Sequence, residues 1–277
     1  MSELLDVKSI SISFGGLKAV QNISFTLNKG EVFSIVGPNG AGKTTIFNLV
    51  SRIYDCSEGS IFFQGEDITN VQTHRVAELG IARTFQNTEL FEKETVLNNL
   101  LIGCHVRRET NFLQEILFTP AVREQELAFR ESVESVIDLL DLQSYREQVV
   151  GNLSYGTRKM VEVARALCTK PKLLLLDEPS SGLNPEETED LAFWIEDINE
   201  ELGITTVMVE HDMKLVSTVS DRVMAMADGK MLLIGKKDYL LEDGTIFFLC
   251  KKKWHLNLIK LYVSVSLRSR TRLKSFW

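Results

Sequence analysis

Apolar and polar residues alternate over residues 4–28. Ile10, Ile12 and Phe14 share one face, Ile23, Phe25 and Leu27 share another, and Gly15-Gly16 breaks the run between them. A period of two flanking a glycine turn predicts two half-buried antiparallel strands. The apolar run Val32–Val36 follows and reads as a buried strand, then a glycine-rich stretch, then a helix from residue 43 to about 54. Further along, the pattern predicts a strand over 59–64, a short helix over 73–79 and a strand over 81–85 ending at Gln86. Residues 95–169 turn helical: Val133, Val136, Ile137 and Leu140 stand at i, i+3, i+4 and i+7, in a helix that Thr119-Pro120 can start. This predicts a helical insertion over about 87–168. The run Leu173–Leu176 is apolar and ends in two acids, Asp177 and Glu178, as a parallel strand buried on both faces should be. Asn184-Pro185-Glu186-Glu187 starts another helix, with Leu191, Trp194, Ile195 and Ile198 on its core side. A strand over 204–210 and a hairpin turning at Asp228-Gly229 close the body. The expected class is α/β: a mainly parallel sheet, an N-terminal antiparallel β subdomain and a helical insertion subdomain.

The chain has 277 residues, 44% of them hydrophobic and 25% charged, as in an ordinary globular protein. Cys56, Cys104, Cys168 and Cys250 are scattered without a C-x-x-C pair, which points to reduced thiols rather than a disulfide frame or a zinc site. The N-terminus carries no basic patch followed by an apolar run, so no signal peptide is expected, and no apolar stretch reaches 18 residues. The net charge of −7 is uneven. Residues 245–277 hold eight Lys or Arg and no acid, leaving residues 1–244 with 23 basic against 38 acidic side chains. A body of net charge −15 is a poor partner for a nucleic-acid backbone.

The chemistry centres on Gly37-Pro38-Asn39-Gly40-Ala41-Gly42-Lys43-Thr44-Thr45. This fits G-x-x-x-x-G-K-[ST] between a strand and a helix, the setting in which backbone N–H groups and a helix N-terminus close around phosphates. Gly37, Asn39, Gly40, Ala41, Gly42, Lys43, Thr44 and Thr45 are therefore the candidate nucleotide-binding residues. Lys43 is placed to reach the β- and γ-phosphates, and the Thr44 hydroxyl to ligate Mg²⁺. In parallel sheets, ligands bind beyond the carboxyl ends of the strands, so Asp177 and Glu178 should land beside this loop. Asp177 would hold Mg²⁺, usually through water, and Glu178 would position or deprotonate the attacking water. His211 ends a neighbouring strand, and that placement raises a catalytic role above simple packing. Ser154 alone is an N-cap, and Phe14 is either core packing or a ring for adenine.

Taken in order, GPNGAGKTT, Gln86, LSYGT, LLLLDE, SGLNP and EHD resemble the motifs of ABC-type ATPases over residues 4–243. The resemblance implies a phosphate-loop ATPase core using ATP and Mg²⁺, two such domains sandwiching two ATP molecules head to tail. It implies that Ser154 and the Gly156 backbone touch the γ-phosphate held by the partner's loop. A helix N-terminus with no anion from its own chain is suited to that. Gln86 would help ligate Mg²⁺ and sense a membrane subunit, His211 would hold the γ-phosphate, and Phe14 would stack on adenine. Phe14-Gly15-Gly16-Leu17-Lys18-Ala19-Val20, Arg83-Thr84-Phe85-Gln86, Phe118-Thr119-Pro120 and Gly182-Leu183-Asn184-Pro185 look most like the ATP-binding subunits of branched-chain amino-acid importers. Tyr155, Thr157 and Asn184 depart from the superfamily pattern, where a glycine, a glutamine and an aspartate are usual.

The expected function is thus an ATPase at the cytoplasmic face of the membrane, peripheral to it. Its partners would be integral permease subunits, a second ABC ATPase subunit and, indirectly, a solute-binding protein, with no nucleic acid. Urea, amide or other transporters are the near alternatives, and a non-transport ATPase acting on DNA or ribosomes is the distant one. The ATP-binding domain is expected over 1–244. The basic tail after it, with Trp254, Leu256, Leu258, Leu261, Val263, Val265 and Leu267 alternating, reads as a lipid-surface segment, an added strand or, preferred here, an unselected end.

Overall fold

The computed structural model describes residues 2–84, 89–117 and 119–237. Strands β1 (Glu3–Phe14) and β2 (Leu17–Asn28) form the antiparallel pair that the alternation predicts. With β4 (Glu58–Phe63) and β5 (Glu66–Asp67) they make a sheet of order β2-β1-β4-β5. The alternation in β1 is not continuous. Leu5, Val7, Ile10 and Ile12 point inward, so parity changes between Val7 and Ile10, where the register shifts and Ser9 takes φ 50°. Ser9 is a bulge residue, its N–H donating to Ser24 Oγ at 2.8 Å. Phe14 does not share the buried face: it is 43% exposed.

The second sheet is built from β3 (Val32–Val36), β6 (Ile81–Arg83), β7 (Leu173–Asp177), β8 (Thr205–Glu210), β9 (Arg222–Ala227) and β10 (Lys230–Lys236). Its order is β10-β9-β3-β8-β7-β6, parallel except for the β9–β10 hairpin. Side chains alternate between two cores. Phe33, Ile35, Leu173, Leu175, Val207 and Val209 face α1 (Lys43–Val50) and the antiparallel sheet. Val32, Val36, Leu174, Leu176, Met208 and Val223 face the opposite helices. A register slip of one residue would exchange the two faces, and each large apolar side chain misplaced would lose about 1.5–3 kcal/mol of burial.

Those opposite helices are α2 (Val96–Gly103), α4 (Pro120–Leu139), α5 (Tyr155–Leu167), α6 (Pro185–Glu200) and α7 (Met213–Val219), with a short α3 (Phe112–Ile116) between α2 and α4. The stripe Val133, Val136, Ile137 and Leu140 is buried, as its spacing predicts. Two helices are shorter than expected. α1 stops at Val50 rather than near residue 54, because the Ser51 hydroxyl donates back to the Phe47 carbonyl at 2.7 Å and Arg52 turns to φ 58°. The helix expected over 73–79 is only a 3₁₀ turn, Thr73–Arg75. The strand expected over 81–85 runs Ile81–Arg83 in the described residues, and Phe85, Gln86 and the tail 245–277 lie outside them.

Candidate functional site

Three adjacent strands of the parallel sheet, in the order β3-β8-β7, end at one level: Val36 pairs with Glu210 and Asp177 with Val209. The loop 37–42 leaves β3, His211 follows β8, and Asp177 and Glu178 end β7. This is the carboxyl edge where the topology of an α/β sheet opens a crevice. A cleft of about 1100 Å³ lies there, lined by the whole stretch Gly37 to Thr45 together with Glu178 and His211.

The loop's glycines have separate reasons. Gly42 takes φ 97° at the N-cap of α1, and a Cβ on it would stand 2.4 Å from the Ala19 carbonyl oxygen. No other residue type fits that position without moving β2. Lys43 is buried, its Nζ donating to the carbonyls of Gly37 at 2.8 Å and Pro38 at 3.2 Å, so the ammonium is folded inside the loop it serves. The free N–H groups of α1 and this cation give the loop the electrostatics of an anion site.

Thr44 Oγ1 donates to Asp177 Oδ1 at 3.4 Å. The other Asp177 oxygen pairs with Arg83 Nη2 at 2.9 Å, and Arg83 is fixed in turn by Asn48 Oδ1 at 2.6 Å and Ser51 Oγ at 3.0 Å. Burial pushes the Asp177 carboxyl up, and the Arg83 guanidinium opposes it; burial also lowers Arg83. The pair is nearly inaccessible, with 8% and 2% of the two side chains exposed. A hydroxyl and a carboxylate in contact beside the loop are hard oxygen donors of the kind Mg²⁺ takes. The residues present therefore fit that ion.

Glu178 is a non-glycine residue in the left-handed region, φ 50°, with its N–H donating to the Val209 carbonyl at 2.9 Å. Strain of this kind concentrates at functional sites, and here it turns the side chain of Glu178 into the cleft while Asp177 stays in the strand. Glu210 organises the opposite wall. Its fully buried carboxylate accepts from Ser180 N at 2.8 Å, His211 N at 3.0 Å and Asp212 N at 3.3 Å, tying the turns after β7 and β8 to each other.

Ser154 is the N-cap of α5, accepting from Thr157 N at 3.1 Å. The expectation that this helix end has no anion from its own chain is wrong. A Cβ on Gly156 would meet Glu187 Oε1 at 2.4 Å, so the Glu187 carboxylate lies against the first turn of α5. That acid is held by the capping box of α6, accepting from Asn184 N at 2.9 Å. The same helix is tied to the acids: Lys159 Nζ donates to the carbonyls of Glu178 at 2.9 Å and Pro179 at 3.1 Å. Burial lowers Lys159.

Most of the predicted residues thus converge. Phe14 does not line the cleft; its ring meets Tyr54 edge-on at 5.1 Å. Leu17, Lys18, Ala19 and Gln21 line it instead. Ser154 and Gly156 also lie outside its lining. Gln86 lies outside the described residues. Arg83, Lys159 and Glu210 are not among the predicted site residues: Glu210 stands in the EHD stretch and Arg83 opens Arg83–Gln86, but which partner a buried charge meets has no local signal.

Residues 20–181 match the ABC transporter family. The chain is 38% identical over 243 residues to the high-affinity branched-chain amino acid transport ATP-binding protein BraF of Pseudomonas aeruginosa, covering 88% of this chain and 95% of that one. It is 35% identical to the corresponding LivG of Escherichia coli, with the same coverage. Among solved structures, the ADP conformation of an ATP-binding cassette of an ABC transporter matches with a TM-score of 0.78 and 31% identity, covering 90% of this chain and 98% of that one. A nucleotide-free cassette from an ABC transporter matches with a TM-score of 0.76 and 31% identity, covering 87% and 94%. With its phosphate loop, strand-end acids and mixed sheet, this chain belongs to the ABC transporter family, as an ATP-binding subunit that hydrolyses ATP.

Proposed function

We propose that the chain powers amino-acid uptake, most simply of branched-chain amino acids, through separate membrane subunits. The observation that carries the catalytic part is the contact of Thr44 with Asp177 beside a cleft that also takes in Glu178 and His211. In this reading the loop binds the phosphates of ATP, and Lys43 exchanges its carbonyl partners for phosphate oxygens. Thr44, Asp177 and Gln86 hold Mg²⁺, which when bound neutralises charge developing between the β- and γ-phosphates. Glu178 accepts the proton of the attacking water, and His211 donates to the γ-phosphate. Ser154 and the Gly156 N–H complete the site of a second ATPase subunit, and Phe14 stacks on adenine.

The membrane partner is seated in a groove beside the site. A groove of about 330 Å³ separates the sheet from the helices, with Ile53, Ile102 and Val106 exposed on it and Arg83, Glu162 and Arg165 beneath. Arg83 joins this groove to Asp177, so an element pressed into it reaches the proposed Mg²⁺ ligand through one side chain. No helix among the described residues is long and apolar enough to cross a membrane; the peripheral, cytoplasmic-face placement follows from the transporter relatives. The amino-acid assignment is supported by the function carried in the names of BraF and LivG. The test is to purify the chain with its membrane subunits in proteoliposomes and supply a solute-binding protein loaded with leucine, isoleucine or valine. ATP-dependent leucine accumulation is expected; stimulation only by urea or an amide would replace the substrate class.

A further inference from the structure

The helical region holds a cluster of titratable groups that the nucleotide site does not use. α2 ends at Gly103 and runs into a 3₁₀ turn, Cys104–Arg107, while Cys168 is the C-cap of α5. The two helix ends meet closely because residue 103 has no side chain. A Cβ there would stand 2.3 Å from the Arg165 carbonyl oxygen and 3.0 Å from Cys168 Cβ. Cys104 and Cys168 are both fully buried, and each thiol lies close enough to shift the titration of the other.

Arg107 turns back over the pair. Its Nη2 donates to Cys104 Sγ at 3.4 Å and to Ser132 Oγ at 3.3 Å, and its guanidinium lies 5.2 Å from the centre of the Phe129 ring. Among the described residues its hydrogen-bond partners are those two atoms, neither of them a carboxylate, and its buried Nε has none. Two inert core thiols would account for the burial but not for the cation. The Cys104 thiol is lowered to about 6, first by the hydrogen bond from Cys168, then by Arg107 and Lys170. The same contact, with burial, pushes Cys168 up. A low-pKa thiol beside a cation and a resolving thiol is the arrangement of a redox-responsive pair.

We propose that Cys104 and Cys168 form a reversible redox site, in which hydrogen peroxide converts the dithiol to a disulfide across the ends of α2 and α5. The Cys104 sulfur attacks one peroxide oxygen and the O–O bond breaks, giving a sulfenic acid and hydroxide, which takes the proton Cys104 released and leaves as water. The Cys168 sulfur then attacks the Cys104 sulfur. The S–O bond breaks, and hydroxide leaves as a second water with the Cys168 proton. Two thiols lose two electrons and one peroxide gains them. The nearest solvent is the groove between sheet and helices, lined by Gly103, Val106, Ala166 and Thr169; neither cysteine lines it, so peroxide would reach the buried pair through local opening of the helix ends. The disulfide would staple one wall of that groove to α5.

The test uses the full-length, folded chain. It is treated with hydrogen peroxide, quenched, unfolded in an alkylating reagent, and its peptides are mapped without reduction. A Cys104–Cys168 linked peptide, lost on treatment with dithiothreitol, is expected. In C168S, Cys104 should be trapped as a sulfenic acid by dimedone, and in R107M the linkage should form about tenfold more slowly. Recovery of both cysteines as alkylated thiols while Cys56 or Cys250 is oxidised would overturn the proposal. Linkage in R107M at the rate of the unaltered chain would remove Arg107 from it. The mapping of the unaltered chain decides the main point even if a variant does not fold.

Discussion

Single residues at the carboxyl edge of the sheet carry separable tasks. Lys43 is folded against its own loop, with Nζ 2.8 Å from the Gly37 carbonyl oxygen. K43A should leave the fold intact and weaken ATP binding by about tenfold or more, because a charge-assisted contact worth about 1.5–3 kcal/mol is lost. Fluorescent-nucleotide titration checks this, and unchanged affinity would undo the reading of the loop. Arg83 acts differently. It is the cation of a nearly inaccessible ion pair, so R83M strands the Asp177 carboxylate. Removing one partner of such a pair costs about 3–5 kcal/mol. Chemical denaturation should show that loss at neutral pH, and D177N in the same background should recover part of it by removing the orphaned charge. A double variant no more stable than R83M would mean that the pair is not what holds the strand end.

At the scale of elements, α5 joins the two functional regions. Its first turn presents Ser154 and Gly156, and its second sends Lys159 to the carbonyls behind Glu178. K159M should therefore slow ATP turnover more than it weakens ATP binding, which the ratio of kcat to nucleotide Kd would reveal; a parallel loss of both would make Lys159 a simple packing residue. Much of this level was legible in the chain. The unbroken run ending in Asp177-Glu178 reads as a buried strand and is one, and Asn184, read as the start of a helix, caps α6. What was not legible came from contacts between distant segments. The bulge at Ser9 depends on Ser24 of the neighbouring strand, so the change of face between Val7 and Ile10 has no local signal, and Phe14 is exposed where β1 ends against Leu17 at the hairpin turn. The Glu187 carboxylate against Gly156 depends on where α6 starts relative to α5, which no local pattern encodes. Arg83 looked like an ordinary strand residue until the sheet order put it beside Asp177.

For the whole molecule, the cleft is one-sided: the loop, Glu178 and His211 line it, and the first turn of α5 does not. That geometry suits an ATP shared between two subunits, and it predicts that damage to α5 is felt in trans. S154R should leave ATP binding by its own loop unchanged while abolishing hydrolysis in the opposite site of the assembled complex; loss of binding in the isolated variant would contradict the assignment. The basic segment 245–277 is compositionally foreign to the acidic body. A chain ending at Gly244 should hydrolyse ATP as fast as the full chain and be more soluble, and a loss of activity or of permease binding would give the segment a function. In the proposed mechanism Glu178 accepts the water's proton, and E178Q tests this most directly. The measurement is single-turnover hydrolysis of ATP by the complex with its membrane subunits, alongside nucleotide affinity. Removing a general base should slow the chemical step by about 10²–10⁴-fold with affinity retained and an ATP-bound dimer accumulating. Turnover close to that of the unaltered complex would contradict it.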